Sequence, residues 1–374
     1  MSLKSGEFAS SGRRRRGIVA ATLVFAGLYA CGSASAAGVQ QGKPDRRAVI
    51  RLDEANRREG EAVLALADAA MAGRAVVSDF GIGWRNDFFK AQPGTFVPFT
   101  ITIDRARVKA PAALLYVRAA ARNAAAPRAK GEPQRFAFDA IFPVELAAPA
   151  GQPIRIIRGF AVPAGVYDVY IVVRERPADP FAETKGLKAA VLKQPLTVPD
   201  FWTGELAAST VMLANRIQTL AAPIAPDDLL EQPYVIGQND VDVAPDSTFR
   251  RDREMIVVFL IYSPTVSADK KFDVQVDYHV FRRTGPAEPA DDGGGDHPPA
   301  RRGERYVSHT APQRFNPASM GSPVDPAAGQ PLLAGQGILL SSFQEGEYRI
   351  GITVTDLLSR KTLLRDVAFT VVGS

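Results

Sequence analysis

The sequence predicts a mainly β protein: two Ig-like antiparallel β-sandwich domains in tandem, preceded by a signal peptide and one short α-helix. The first observation is a repeat, because residues 165–173 (GVYDVYIVV) return as residues 346–354 (GEYRIGITV). Both copies alternate apolar residues with period 2, which is typical of a strand with one buried face. The second observation is that a further alternating strand follows each copy, at 191–198 and 363–372. The third is the number of short strands separated by turn residues, as expected for sandwich domains.

Each copy of the repeat also carries the residues of a tyrosine corner. Gly165 and Gly346 stand two positions before Tyr167 and Tyr348. The glycine permits the turn, and the tyrosine hydroxyl is expected to reach a backbone group just upstream. We therefore predict a structural tyrosine corner in each domain.

The elements follow in order along the chain. Asn56 can cap a helix, with Glu59 three residues on in the capping-box position, and the apolar stripe behind them has helical spacing. This helix is expected either to pack against the first sandwich or to dock a partner or second copy. Residues 255–262 (MIVVFLIY) are apolar on both faces, which predicts a central strand. The predicted organisation is a signal peptide at 1–36, a linker at 37–55, the helix and a connection at 56–78, the first sandwich at 79–199 and the second at 200–374, with a disordered Pro- and Gly-rich loop at 284–304.

The N-terminus has the pattern of an export signal. Four arginines at 13–16 precede an apolar run at 17–30, which suits a signal peptide and is short for a membrane span. Residues 34–36 (ASA) form a cleavage pattern, whereas Cys31 follows residues that resemble a lipoprotein box. We expect an extracytoplasmic protein, either periplasmic or secreted, with lipidation at Cys31 and membrane anchoring as the alternative. Cys31 is the single cysteine, so no internal disulfide is expected.

Charge and motifs argue against several classes of function. Once residues 1–36 are removed, basic and acidic residues nearly balance, so nucleic-acid binding is not expected. None of the three histidines, His279, His297 and His309, has a serine, cysteine or carboxylate at a motif spacing. We predict no enzyme activity, no catalytic residues, no cofactor and no metal ligands. Two acidic sets, at 227–246 and 291–296, contain oxygen ligands without ordered spacing, so calcium binding there stays open.

Residues 84–92 (WRNDFFKAQ) are the best candidate for a contact surface. They mix aromatic rings with side chains that hydrogen-bond to ligands. The other interpretation is that Trp84 and one phenylalanine fill the first core while the polar residues face water. Trp202, at the domain boundary, is expected to pin the two domains together. The possible ligand or partner contacts are Trp84, Arg85, Asn86, Asp87, Lys90 and Gln92.

Three stretches together carry a family resemblance: residues 83–104 (GWRNDFFKAQPGTFVPFTITID), 310–320 (TAPQRFNPASM) and 335–371 (GQGILLSSFQEGEYRIGITVTDLLSRKTLLRDVAFTV). They resemble a family of exported bacterial tandem Ig-like β-sandwich proteins, similar to the region that follows von Willebrand factor A-related domains in longer relatives. The resemblance covers most of residues 58–372 and has no assigned activity. It implies Ig-like folding and an envelope or secreted location. The present chain has no room for a von Willebrand domain, so metal-dependent adhesion is not carried over.

These observations lead to one expected function and one alternative. The first is an exported, non-enzymatic structural or protein-binding module of the bacterial cell envelope, whose edge strands and loops contact protein partners. The alternative is a carbohydrate- or small-ligand-binding protein that uses residues 84–92. Membrane contact is expected only through a lipid anchor at Cys31.

Overall fold

The computed structural model describes residues 46–92, 94–122, 136–177, 179, 182, 185–285, 297–320 and 324–373, without the side chains of 46–53 and 227. The predicted signal peptide, Cys31 and residues 286–296 of the predicted loop lie outside the described residues. Among the helices that are described, none is both long enough and apolar enough to cross a membrane.

The chain is mainly β, with an α-helix, α1, at Arg46–Met71. The first strand set is β1 (Gly83–Asn86), β2 (Phe89–Lys90), β3 (Thr95–Ile103), β4 (Ala112–Ala121), β5 (Phe138–Glu145), β6 (Ile154–Val162), β7 (Gly165–Arg176) and β8 (Ala189–Val198). The second strand set is β9 (Ala207–Ala208), β10 (Met212–Thr219), β11 (Val235–Ile236), β12 (Asn239–Val243), β13 (Thr248–Arg250), β14 (Glu254–Tyr262), β15 (Val274–Arg283), β16 (Glu304–His309), β17 (Gln313–Phe315), β18 (Leu332–Leu339), β19 (Gly346–Asp356) and β20 (Lys361–Val372). Short 3-10 helices lie at Arg105–Arg107, Pro226–Leu230, Pro326–Ala328 and Leu340–Ser342.

The first strand set forms two sheets around one core. In the smaller sheet, β1 and β2 pair with successive parts of β3, and β6 pairs with the other edge of β3. The larger sheet has the order β5-β4-β7-β8. Alternate residues of β7 point into a cluster that also takes residues from the smaller sheet, including Phe99 and Phe160. Two sheets that share a buried core in this way are consistent with a β-sandwich.

The second strand set repeats this order. Here β9 and β10 pair with successive parts of β14, and β18 pairs with its other edge. The facing sheet has β16 and β17 on one edge of β15, followed by β19 and β20. In the described part of the chain, the second strand set has three strands that the first set lacks. In the sheet of β14, β12 and β11 follow β10; in the facing sheet, β13 pairs in parallel with the end of β20. The strand β14 has neighbours on both edges and eight consecutive apolar positions, as predicted for residues 255–262.

The two copies of the sequence repeat are the equivalent strands β7 and β19. The Tyr167 hydroxyl donates a hydrogen bond to the carbonyl oxygen of Pro163 at 2.8 Å. The Tyr348 hydroxyl does the same to Gln344 at 2.7 Å. Gly165 has a φ of 154° and Gly346 a φ of 142°, values that side chains other than glycine rarely adopt. Each glycine and tyrosine thus has the geometry of a tyrosine corner.

The helix begins earlier than the capping pattern predicts. Because α1 starts at Arg46, residues 46–55 of the predicted linker are helical. Asn56 and Glu59 lie inside the helix and bind Arg176 of β7, whose Nη2 is 3.1 Å from Asn56 Oδ1 and whose Nε is 2.7 Å from Glu59 Oε2. The two residues of the predicted capping box therefore hold the helix to the sheet instead of capping it.

The outer faces of the two larger sheets differ. In the first strand set, neighbouring positions on β4, β7 and β8 are Tyr116, Val172 and Val191, and α1 packs on them through Val63 and Ala67. The equivalent row on β15, β19 and β20 is Asp277, Thr353 and Leu364. Leu364 is 70% exposed, and no helix packs on this row within the described part of the chain. We call this second surface the open face.

Candidate functional site

The predicted contact residues lie where the two strand sets meet. The ring of Trp84 stacks on Phe99 of the first core, with centroids 4.7 Å apart. Its Nε1 donates to Asn86 Oδ1 at 3.0 Å. Trp84 is therefore partly buried and its polar atom is already hydrogen-bonded, as in the interpretation that assigns it to the core.

Asp87 is almost completely buried between the strand sets. Its exposed fraction is 1%, and Tyr234 of the second strand set donates a hydrogen bond to its Oδ2 at 2.7 Å. Arg85 Nη2 lies 3.6 Å from the same oxygen. Burial raises the pKa of Asp87, although Arg85 and Tyr234 oppose that rise. This carboxyl group thus connects the two strand sets in a region of low water access.

Backbone and side-chain contacts continue along the same segment. The backbone amide of Phe88 donates to Thr210 Oγ1 at 2.9 Å, and the Thr210 amide donates back to the Phe88 carbonyl at 3.2 Å. The amide of Lys90 donates to the Tyr262 hydroxyl at 3.1 Å. Arg85 also donates to the carbonyl of Ala244. We call this contact region the junction.

Trp202 closes one side of the junction. Its Nε1 donates to the carbonyls of Ala91 (3.0 Å) and Gly94 (2.9 Å), and Lys90 Nζ stands 4.3 Å from the centre of its ring. Below them lies an apolar cluster drawn from both strand sets: Phe89, Phe201, Met212, Ala214, Tyr234, Val241, Val243, Ile256, Val258, Leu260 and Tyr262. Of the six predicted contact residues, Gln92 alone is classed as exposed. The others are at least half-buried by contacts within the chain.

All three histidines of the chain meet on the open face. The ring of His297 stacks on Tyr306, with centroids 3.8 Å apart and planes inclined by 5°. The Tyr306 hydroxyl hydrogen-bonds to His309 Nδ1 at 2.8 Å. His279 lies 6.0 Å from His309 and 6.1 Å from Tyr306, measured between ring centroids. Residues that are far apart in sequence therefore form one histidine cluster, consisting of His279, His297, Tyr306 and His309.

The pKa of His279 is shifted by these surroundings. Burial lowers it, the neighbouring His309 and His297 lower it further, and the carboxylate of Asp277 opposes them. The Nδ1 atom of His279 is buried and has no hydrogen-bond partner among the described residues. The imidazole is consequently held in its neutral form at neutral pH. Within the described residues, neither His279 nor His309 hydrogen-bonds to a serine, threonine or cysteine side chain.

An arginine–carboxylate cluster adjoins the histidines on the same sheet. Arg349 donates from Nε to Glu304 Oε1 (2.9 Å), from Nη2 to Glu304 Oε2 (2.5 Å) and from Nη1 to Asp366 Oδ1 (2.7 Å). Arg301 also pairs with Asp366. The hydrogen bonds from Arg349 hold the pKa of Glu304 below its usual value. Burial alone would raise the pKa of Asp366, but Arg349 and Arg301 outweigh it and lower that pKa.

The arginine–carboxylate cluster lines a cleft of about 580 Å³ that is open to solvent. Phe281 connects the two clusters, because the Arg349 guanidinium lies 4.2 Å from its ring centre and Tyr306 lies 5.7 Å away, edge to face. Each cation in this cluster that we describe is paired with a carboxylate, so the cleft presents both signs of charge instead of an anion-binding surface.

The part of the acidic sets that the structure describes shows no calcium site. Within the described residues, no three His, Cys, Asp or Glu side chains are grouped so that they could hold a metal ion together. The set at 291–296 lies outside the described residues, as does the side chain of Asp227. In the other set, Asp246 accepts a hydrogen bond from the amide of Thr248 at 3.1 Å, which is a local turn contact.

Comparison with known proteins adds no relative. No protein-family model matches the chain, and no curated protein matches it either.

Sequence reasoning missed the histidine cluster because its three histidines are separated by spacings of 18 and 12 residues that match no motif. The sequence does contain one signal, since His279 lies on the polar face of an alternating strand and His309 follows another polar position near a tyrosine. Only the strand register could have brought the two together.

Proposed function

We propose that this protein is an exported, non-enzymatic structural or protein-binding module of the bacterial cell envelope, built from two Ig-like sandwiches in tandem. The observation that carries the proposal is the repeated strand order, with two strand sets joined through a buried junction. In each set a sheet of three strand positions faces a sheet of four, and the tyrosine corner opens the next-to-last strand. Two packed antiparallel sheets with a tyrosine corner near the start of the next-to-last strand support an Ig-like assignment, because Ig-like domains share both features.

The junction supports a role as a stiff spacer. Domains that meet through small polar contacts usually move relative to one another. Here the contact has an apolar cluster, the buried Asp87–Tyr234 hydrogen bond and paired backbone bonds between Phe88 and Thr210. A connection of this kind favours a fixed orientation, which suits a protein that holds partners at a set distance.

The outer edge of β20 is the best candidate for partner contact. β20 pairs with β13 only at residues 370–372, so its edge from 361 to 369 has no strand partner among the described residues. The strand β8 is the equivalent of β20 in the first strand set. Pro195 of β8, which pairs with Asp168, occupies the position that Ala368 occupies in β20, where it pairs with Arg349. Proline removes an N–H and blocks strand addition at an edge. Exposed Leu357, Leu358 and Leu364 lie on or beside the free edge.

Ligand binding through residues 84–92 receives less support. Asp87 and Phe89 are buried, and Arg85, Lys90 and Trp84 contact other parts of the chain. A sugar would have to displace these contacts before it could stack on an aromatic ring. We therefore favour a structural or protein-binding module over a carbohydrate- or small-ligand-binding protein.

The test is crosslinking of the full chain in the envelope of the cells that make it, followed by capture and mass spectrometry. We expect one dominant protein partner whose crosslinks map to residues 357–369. Leu364→Glu should abolish these crosslinks. Val166→Glu, which changes an exposed valine of the first strand set, is the matched control and should leave them intact. A chain that stays in the cytoplasm, or one that crosslinks to nothing, would refute the proposal.

A further inference from the structure

His279 and His309 stand directly opposite each other on the antiparallel strands β15 and β16. The amide of Thr310 donates to the carbonyl of Tyr278 at 3.2 Å, so the adjoining pair of histidines occupies a non-hydrogen-bonded position of the ladder. Side chains at such positions approach each other more closely than at hydrogen-bonded ones. The two imidazoles accordingly lie side by side on the open face, with ring centroids 6.0 Å apart.

We propose that His279 and His309 form a binding site for a borderline divalent transition metal ion such as Zn²⁺, Ni²⁺ or Cu²⁺. Imidazole nitrogen is a preferred ligand of these ions. Two imidazoles that share one tetrahedral zinc ion, with Zn–N bonds of about 2.1 Å, have ring centroids about 5 Å apart. The remaining distance of about 1 Å is small compared with the displacement that rotation about χ1 and χ2 can produce.

Tyr306 prepares His309 for this role. Its hydroxyl lies 2.8 Å from His309 Nδ1. With a metal ion on Nε2, the Nδ1–H of His309 donates to the tyrosine oxygen. Histidines that ligate metals usually donate their other ring N–H to such a partner, which fixes the tautomer and the ring orientation. Tyr306 is therefore a positioning residue.

His279 offers a neutral imidazole with an unsatisfied nitrogen. In the part of the chain that the structure describes, its buried Nδ1 has no hydrogen-bond partner, which is costly for a polar atom. A metal ion binds imidazole in its neutral form. The carboxylate of Asp277, on the same face of β15, adds negative charge that favours a cation. The groups that act on this ring are thus Asp277, His297 and His309.

The pair supplies two protein ligands, and water would complete the coordination. This agrees with the finding that no three ligating side chains are grouped among the described residues. His297 stacks on Tyr306 instead of facing the pair, and its Nδ1 lies 3.0 Å from the Pro298 carbonyl oxygen. The geometry therefore assigns metal ligation to His279 and His309. Substitution of His297 serves as the control for the metal titration.

The test is a titration of the full chain, without a polyhistidine tag, with Zn²⁺ and then Ni²⁺ by calorimetry and by NMR of the imidazole carbons. We expect one equivalent of metal and shifts of the His279 and His309 resonances. His279→Gln and His309→Gln should each weaken binding at least tenfold, and Tyr306→Phe should weaken it about tenfold. His297→Gln should change it by less than about threefold. Lowering the pH should weaken binding, because protons compete with the metal ion for the imidazole nitrogens.

Thermal melts of all four variants separate a loss of ligands from a loss of folding. The outer face of the sheet contributes little to the core, so we expect each variant to melt within a few degrees of the parent chain. No saturable binding by the folded parent chain would overturn the proposal. Undiminished binding by each of the single variants His279→Gln and His309→Gln would also overturn it. The same holds if His297→Gln is the variant that loses binding while the other two retain it.

Discussion

Tyr234 donates a hydrogen bond to Oδ2 of Asp87 at 2.7 Å, and both side chains are buried although they come from different strand sets. The phenol is the direct hydroxyl donor to a carboxyl group that has little access to water. This bond makes the junction selective for one arrangement, because any displacement of the strand sets leaves a buried oxygen without its partner.

Tyr234→Phe should therefore destabilise the protein by about 1–3 kcal/mol, the cost of leaving a buried acceptor without its hydrogen bond. The measurement is urea unfolding at pH 7. Asp87→Asn is the matched control, because its amide oxygen can still accept from Tyr234. Burial raises the pKa of Asp87, so the charged form is unfavourable in the folded state and its neutral replacement is well tolerated. Equal losses in the two variants would contradict this account.

The tyrosine corners give a second prediction. Tyr167→Phe and Tyr348→Phe keep the ring but remove the bonds to Pro163 and Gln344, so each should cost about 1 kcal/mol. Chemical unfolding of the two variants and the parent chain measures the difference. If neither variant loses stability, the hydrogen bond is not what secures these corners.

Acid should weaken the arginine–carboxylate cluster. The pKa of Glu304 and that of Asp366 are both lowered in the folded protein, so these groups stabilise it above their ordinary pKa values. That stability is lost as the pH falls through the lowered values, below about pH 4. Arg349→Met removes the shared partner and should flatten the acid limb of the stability profile between pH 6 and pH 2.

Arg283→Met is the control for that experiment. Arg283 and Glu347 form an exposed pair at 2.7 Å, and pairs of this kind contribute little to stability. Its acid limb should follow that of the parent chain. An unchanged limb in Arg349→Met would show that the cluster does not govern the response to acid.

The attachment of α1 gives a fourth prediction. Arg176→Met leaves the buried carboxylate of Glu59 without its ion pair, so it should destabilise the protein by about 1–3 kcal/mol. Trypsin cleavage within α1 should become faster. Arg57→Met, which breaks an exposed pair with Glu61, should stay within about 0.5 kcal/mol of the parent chain. Similar losses in both variants would mean that the Arg176 contact has no special role.

Much of the strand architecture was predictable because it depends on local periodicity. Alternation over 165–173 and 346–354 identifies β7 and β19, and the apolar run at 255–262 identifies a strand with neighbours on both edges. The start of α1 was not predictable in the same way. Asn56 and Glu59 have the residue types of a helix cap, but Arg176, which binds them, is distant in sequence.

The candidate sites depended on tertiary contacts to a greater degree. Aromatic and polar residues such as Trp84, Arg85 and Asp87 suit a ligand surface and a contact between domains equally well. The hydrogen bonds that join this segment to Tyr234 and Thr210 of the second strand set identify it as a contact between the strand sets instead of a ligand surface. The histidine cluster requires the register of β15 and β16, including a shift between Val280 and Phe281, which no spacing in the sequence reveals.

The junction also has a consequence for how the molecule comes apart. Phe88 and Phe89, which belong to the first strand set by sequence, help to complete an apolar cluster of the second. Melting of one strand set would thus expose buried surface of the other, and the free energy of that exposure couples the two events. The chain is consequently expected to unfold in one cooperative transition, with a single calorimetric peak, although it has two cores.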